Sequence, residues 1–125
     1  MKILIVDDER DVEMLFRQKF RKEIRNEGLE LIFAFSGQEA LEILGAVDPP
    51  NVVYVFSDIN MPGMTGLELL QNVKARFPGI KVSMISAYGD AANHDKAMSS
   101  GAKEFFTKPI DFLSLKREIR EIMTN

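Results

Sequence analysis

The residues best equipped for chemistry in this chain stand at the ends of apolar runs. Asp7 and Asp8 close Ile3-Leu4-Ile5-Val6. Asp58 follows the run Val52–Phe56 and precedes a Met61-Pro62-Gly63 turn that withdraws the chain and leaves the side chain at a rim. Ser86 follows Lys81–Ile85, and Lys108 follows Glu104–Thr107. If the fold gathers these ends, three carboxylates meet one ammonium, a surplus of two negative charges. Unit charges about 5 Å apart repel by roughly 3 kcal/mol at an effective dielectric of about 20, so either one acid stays protonated or a divalent cation binds. The chain has no cysteine and the set holds no histidine, so the donors are all oxygen, which suits Mg2+ or Mn2+ better than zinc. A hard cation with open coordination positions disposes such a site toward phosphoryl chemistry. Asp58 is then the candidate nucleophile, since carboxylates attack phosphoryl groups to give acyl phosphates. Lys108 can pair with the transferred oxygens and Ser86 can hydrogen-bond them. His94, the one histidine, falls in a predicted helix that nothing places at this edge.

Such an edge needs elements that end together. Short β-rich runs at Lys2–Val6, Leu29–Phe35, Val52–Phe56, Lys81–Ile85 and Glu104–Thr107 alternate with segments of helical spacing. The first helical segment carries Val12, Leu15, Phe16, Phe20 and Ile24 at three- and four-residue steps. The last repeats the pattern with Phe112, Leu115, Ile119, Ile122 and Met123. Ser36-Gly-Gln-Glu39 and Thr65-Gly-Leu-Glu68 read as capping boxes, and Asp90 as the cap of a short helix through Ser99. Gly28, Gly45, Gly79 and Gly101 read as left-handed helix stops. Strands alternating with helices predict an α/β fold, one five-stranded parallel sheet with helices on both faces. Right-handed crossovers favour the doubly wound, flavodoxin-like strand order 2-1-3-4-5, in which the winding reverses between the first and third strands. Ligands of such sheets bind at the carboxyl ends of the strands beside that reversal, where Asp7, Asp8 and Asp58 fall.

Composition removes several classes of function. The 125 residues suit one domain, 1–125, of which 46% are hydrophobic and 28% charged, as in ordinary globular proteins. A net charge of -3 with basic residues spread among acids offers no field for nucleic acid. Without cysteine, disulfides and thiolate metal sites are excluded. No apolar stretch approaches membrane-spanning length, and Met1 leads directly into a strand-like run rather than a signal-like segment. A cytoplasmic location is the expectation.

In this order, and each at a strand's end, the acid pair Asp7-Asp8, the stretch DINMPGMTG from Asp58, MISAYGD from Met84 and Lys108-Pro109 carry a family likeness. The chain resembles the receiver domain of two-component response regulators over nearly its whole length. The resemblance implies a phosphoacceptor switch rather than an enzyme acting on an external substrate. Asp58 matches the aspartate that takes a phosphoryl group from a histidine kinase or phosphotransfer protein, catalysing the transfer itself and losing the group by slow autodephosphorylation. It further implies Mg2+ (or Mn2+) held by Asp8 and Asp58 directly, by Asp7 through water and by the main-chain carbonyl of Asn60. Lys108 matches the phosphate-pairing lysine, Ser86 the switch hydroxyl and Ala87 the adjacent backbone amide. Phe105 matches the aromatic whose rotamer follows the switch, here without the tyrosine hydroxyl that many relatives carry. Asn60 and Tyr88 sit where relatives tune loss of the phosphoryl group. An output partner or output domain is implied, as is a face from the fourth to the fifth predicted helix through which relatives commonly dimerise. Neither membrane nor nucleic acid is implied as a partner of this domain.

Plainer roles stand beside these. An acid after the first strand can cap the next helix, but a cap needs one acid and leaves Asp58 unexplained. Arg17, Arg21, Lys22 and Arg25 read as a solvated face, which the resemblance turns into a kinase contact, and His94 reads as a solvated helix residue. A phosphatase of the haloacid-dehalogenase type also forms an aspartyl phosphate. It is marked by Asp-x-Asp after the first strand, whereas here Asp58-Ile-Asn60 follows the third. A binding module that keeps the fold without phosphorylation leaves the joint presence of Asp7, Asp8, Asp58, Ser86 and Lys108 without a reason.

Overall fold

Strands and helices alternate along the computed structural model, which describes residues 1–87 and 90–124; Tyr88, Gly89 and Asn125, and with them the reading of Tyr88, lie outside the described residues. The order is β1 (Lys2–Val6), α1 (Asp11–Lys19), α2 (Arg21–Asn26), β2 (Glu30–Ala34), α3 (Gly37–Leu44), β3 (Val52–Asp58), α4 (Gly66–Arg76), β4 (Lys81–Ala87), α5 (Ala91–Ser99), β5 (Phe105–Lys108) and α6 (Phe112–Met123). The strands form one parallel sheet in the order β2-β1-β3-β4-β5, as the alternating pattern predicts. Among the described residues no helix is long and apolar enough to cross a membrane.

Period-two alternation sorts each strand's side chains between two cores. Leu4, Val6, Val55, Val82 and Met84 pack against Ala40, Leu41 and Leu44 of α3, Leu69, Leu70 and Val73 of α4, and Ala97 of α5. Ile3, Ile5, Tyr54, Phe56 and Ile85 face Phe16 of α1, Phe20, and Leu115 and Ile119 of α6. Both faces are therefore covered, which is why these strands read as continuous apolar runs. Each fully buried large side chain contributes about 1.5–3 kcal/mol relative to exposure.

The parallel register sets which ends meet. Val6 pairs with Ser57, Asp58 with Ile85, Ser86 with Thr107 and Ala87 with Lys108. Pairing carries β3 through Asp58, β4 through Ala87 and β5 through Lys108, beyond the apolar runs that mark these strands in the sequence. The polar ends are held by the sheet.

Local details depart from the sequence reading in physical ways. The first helical segment divides at Phe20, whose φ of -105° and ψ of 19° leave the helical region. The turn seats the Phe20 ring against Phe16, 6.0 Å away, and Phe112 of α6, 6.3 Å away. Leu15 lies off the Val12–Phe16–Phe20 stripe and is exposed. Thr65 and Glu68 complete a reciprocal capping box, whereas at α3 Ser36 accepts from the Glu39 N–H without the return bond. Gly28 and Gly101 stop their helices at positive φ, but Gly45 does so at φ -98° and Gly79 is not in the left-handed region.

Candidate functional site

The segment after β1 and the ends of β3 and β5 build one acidic edge. Asp7 follows β1 directly and is pinned there by its N–H, which donates to the Ala34 carbonyl at 3.1 Å. Its Oδ1 accepts from the Glu9 N–H at 2.9 Å, so this acid turns the chain toward α1 without capping the helix, whose N-cap residue is Arg10. Asp8 is exposed. Asp58 ends β3 and is buried; its carbonyl accepts from the Ser57 hydroxyl at 2.9 Å, and the next residue, Ile59, donates its N–H to Ile85.

Gly66 closes the far side of the turn. Its N–H donates to the Ile59 carbonyl at 2.8 Å, drawing the start of α4 against the end of β3. A Cβ on Gly66 would lie 2.7 Å from Ile59 Cα and closer still to the Asp58 carbonyl oxygen, so only glycine allows this approach. Between them, Met61 is buried in the core, Pro62 and Gly63 are exposed, and Gly63 takes φ +76°. The turn that the sequence marks therefore leaves the Asn60 side chain exposed, whereas Asp58, expected at the rim, is itself buried.

One carboxylate oxygen from each of Asp7, Asp8 and Asp58 lies within 4.8 Å of the others. Lys108 reaches in from β5, its Nζ 3.3 Å from Asp7 Oδ2 and 3.4 Å from Asp58 Oδ2. Burial, reinforced by the charge of Asp7, raises the Asp58 pKa above the ordinary carboxylate value despite the pull of Lys108. Burial works against the Lys108 charge, but Asp58 and Asp7 together overcome it and hold its pKa above the usual lysine value. Three negative charges against one positive charge leave a surplus of two, on donors that are all oxygen. That set fits a hard divalent cation, with the exposed acid giving an entry from solvent.

Ser86 is fully buried one position beyond Ile85, the strand partner of Asp58. Its hydroxyl donates elsewhere, to Asp90 Oδ2 at 2.9 Å. Asp90 precedes α5, as expected of a cap, yet its side chain makes no capping hydrogen bond and instead takes Ser86 and the Asn93 amide, the latter at 2.6 Å. Ala87 is exposed and paired with Lys108. Phe105 is half-buried, on the opposite face from Phe106, with the His94 ring edge-on at 5.0 Å. His94 is exposed but leans on that ring and on Asp95.

Two polar clusters escaped the sequence reading. Tyr54 and Ser83 share a hydrogen bond, Tyr54 donates to Glu118 at 3.2 Å, and Glu118 pairs with Lys103. Burial, with the Glu118 charge, pushes the Tyr54 hydroxyl far above its ordinary pKa despite the bond to Ser83. Glu23 of α2 is buried and salt-bridged to Lys116 at 3.3 Å and Arg120 at 3.1 Å, with Arg120 also on Glu27. Burial opposes the Glu23 charge, but a bond from its own backbone N–H and the two cations prevail and lower its pKa.

Comparison with known proteins converges with this geometry. A family model for the response regulator receiver domain matches residues 3–120. Sporulation initiation phosphotransferase F of Bacillus subtilis is 31% identical over 122 residues, covering 98% of this chain and 93% of that protein. A cyclic di-GMP phosphodiesterase of Thermotoga maritima is 30% identical over 125 residues, but the chain spans only 32% of its length. The solved response regulator protein TrrA from Thermotoga maritima, in complex with Mg(2+)-BeF, superposes with a TM-score of 0.78 at 29% identity, covering 96% of each chain.

Proposed function

The chain belongs to the response regulator receiver domain family of two-component signalling, and from that premise we propose that Asp58 is its phosphoacceptor. The observation that carries the proposal is the joint placement of Lys108 Nζ on Asp7 and Asp58 inside a three-carboxylate cluster. Asp7, Asp8, Asp58 and the main-chain carbonyl of Asn60 would hold Mg2+ (or Mn2+). When bound, the ion supplies positive charge against the phosphoryl oxygens. The chain's own residues do the rest. An Asp58 carboxylate oxygen gives a lone pair to phosphorus; the P–N bond to the donor's imidazole breaks, and the imidazole keeps the bonding pair and takes a proton from water. Lys108 pairs with the transferred oxygens, and Ser86 and the Ala87 N–H hydrogen-bond them. Positioning and charge compensation are the whole of the catalysis required. The exposed rim at Asp8 and Asn60 admits the water that slowly hydrolyses the acyl phosphate.

The phosphohistidine donor, a kinase or phosphotransfer protein, approaches over α1 and the start of α2, where exposed Met14 and Leu15 lie near Arg17 and Arg21. The response travels through Ser86 and Phe105 to the face of α5, β5 and α6, which an output partner, an output domain or a second copy reads. These are the fourth and fifth helices of the sequence reading. Residues 1–125 act as one receiver, in the cytoplasm. Intact mass after incubation with Mg2+ and acetyl phosphate tests the proposal. One added phosphoryl group is expected on the wild type and none in chelator or on Asp58→Asn. Equal addition to Asp58→Asn would overturn it.

A further inference from the structure

We propose that Asp90 is a positioning residue that withholds the Ser86 hydroxyl from the phosphoryl site until Asp58 is modified. The inference rests on the phosphoacceptor reading and deepens it. Ser86 is buried beside the strand partner of Asp58, yet its hydroxyl is spent on the Asp90 carboxylate at 2.9 Å. A hydroxyl has one proton to donate, so it cannot serve Asp90 and a phosphoryl oxygen together. The competing acceptor is itself held. Asn93 Nδ2 donates to the same Asp90 oxygen at 2.6 Å, and the Asp90 carbonyl accepts the His94 N–H at 3.1 Å. These two bonds tie Asp90 to the first turn of α5. Both bonds to the carboxylate favour its charged form and lower its pKa.

Transfer of Ser86 to a phosphoryl group therefore gives up a charge-assisted bond at Asp90, and the resting protein is biased against the switched state by that difference. Asp90 also lines a cavity of about 310 Å³ with Ala91, His94, Phe105 and Thr107. Loss of its serine partner thus alters the wall of the groove in which Phe105 sits, which links the hydroxyl to the α5–β5 face.

A double-mutant cycle with Mg2+ and beryllium fluoride tests this, reading bound fluoride by 19F NMR and fold retention by thermal melting. Asp90→Ala is expected to tighten beryllium fluoride binding about tenfold, and Asp90→Asn, which keeps a neutral acceptor, less. In a Ser86→Ala background the Asp90 substitutions are expected to change nothing, a dependence that a merely structural role would not produce. Unchanged or weaker binding by Asp90→Ala, or equal tightening without Ser86, overturns the latch while the phosphoacceptor reading stands. Failure of the wild type itself to bind beryllium fluoride removes that reading and the latch with it.

Discussion

Replacing Lys108 with methionine keeps the aliphatic stem and removes the charge that bridges two acids. At 3.3 and 3.4 Å, and with an effective dielectric of about 20, each ion pair has a Coulomb energy of about 5 kcal/mol. Most of that does not survive as net stability. The Lys108 side chain is 31% exposed, which screens it, and the ammonium was desolvated to reach its place. The net loss for Lys108→Met in chelator is then about 2 kcal/mol at neutral pH, or roughly 8 °C in Tm for a domain of this size. The pKa directions agree. Lys108 is raised, so its contribution is fully present at neutral pH and is lost only in strong alkali, as pH passes through its folded pKa. Asp58 is raised as well, so its charge opposes folding at neutral pH and that opposition fades in acid. Thermal melts in chelator, in saturating Mg2+ and at lower pH form the assay. Added metal and added acid should each narrow the gap between Lys108→Met and wild type, because each supplies the positive charge that the variant lacks. Equal melting in chelator, or a gap indifferent to metal, would refute the shared charge site.

Three further outcomes follow from the same geometry. Asp8→Ala, which relieves repulsion at an exposed position, should gain about 0.5–1 kcal/mol in chelator and respond little to Mg2+ in thermal melts. Gly66→Ala should lose about 1–3 kcal/mol by urea unfolding, because the new methyl meets backbone at Ile59 and Asp58; it should also slow phosphoryl acceptance from acetyl phosphate. Glu23, whose pKa is lowered, adds stability that is present above its ordinary value of 4.5 and lost as pH falls through its lower folded value. Glu23→Gln should therefore be less stable at pH 7 by about 1 kcal/mol and show a shallower acid limb in pH-dependent melts.

The fold was legible because the sheet is buried on both faces, so β1, β3 and β4 announce themselves as apolar runs with polar ends. Their shared edge follows from the strands being parallel, which puts every carboxyl end on one side of the sheet. The candidate site was legible in part: Asp7, Asp8, Asp58 and Lys108, polar ends of those runs, do come together, whereas the Ser86 hydroxyl turns to Asp90. What stayed hidden depends on partners distant in the chain. Glu23 looks like one more charged helix residue until α6 brings Arg120, 97 positions away, over it. Tyr54 reads as an ordinary core aromatic, and its hydroxyl finds Glu118 only across the packed sheet and helix. The division at Phe20 goes with a ring contact to Phe112 of α6 that spacing along the first helix does not show. Gly66 signals a helix start in sequence, whereas the approach of its backbone to Asp58 exists only in three dimensions. Position marks Asp90 as a cap, and the choice of Ser86 over the helix amides is a matter of local geometry that spacing does not encode.

The central claim is that Asp58, rather than either neighbouring acid, carries the phosphoryl group. Borohydride reduction of the protein after treatment with Mg2+ and acetyl phosphate converts an acyl phosphate to a primary alcohol, which peptide mapping locates. Reduction confined to position 58 is the expected result. Reduction at Asp7 or Asp8, or a phosphoryl group that resists borohydride because it sits on a hydroxyl such as that of Ser86, would contradict the account.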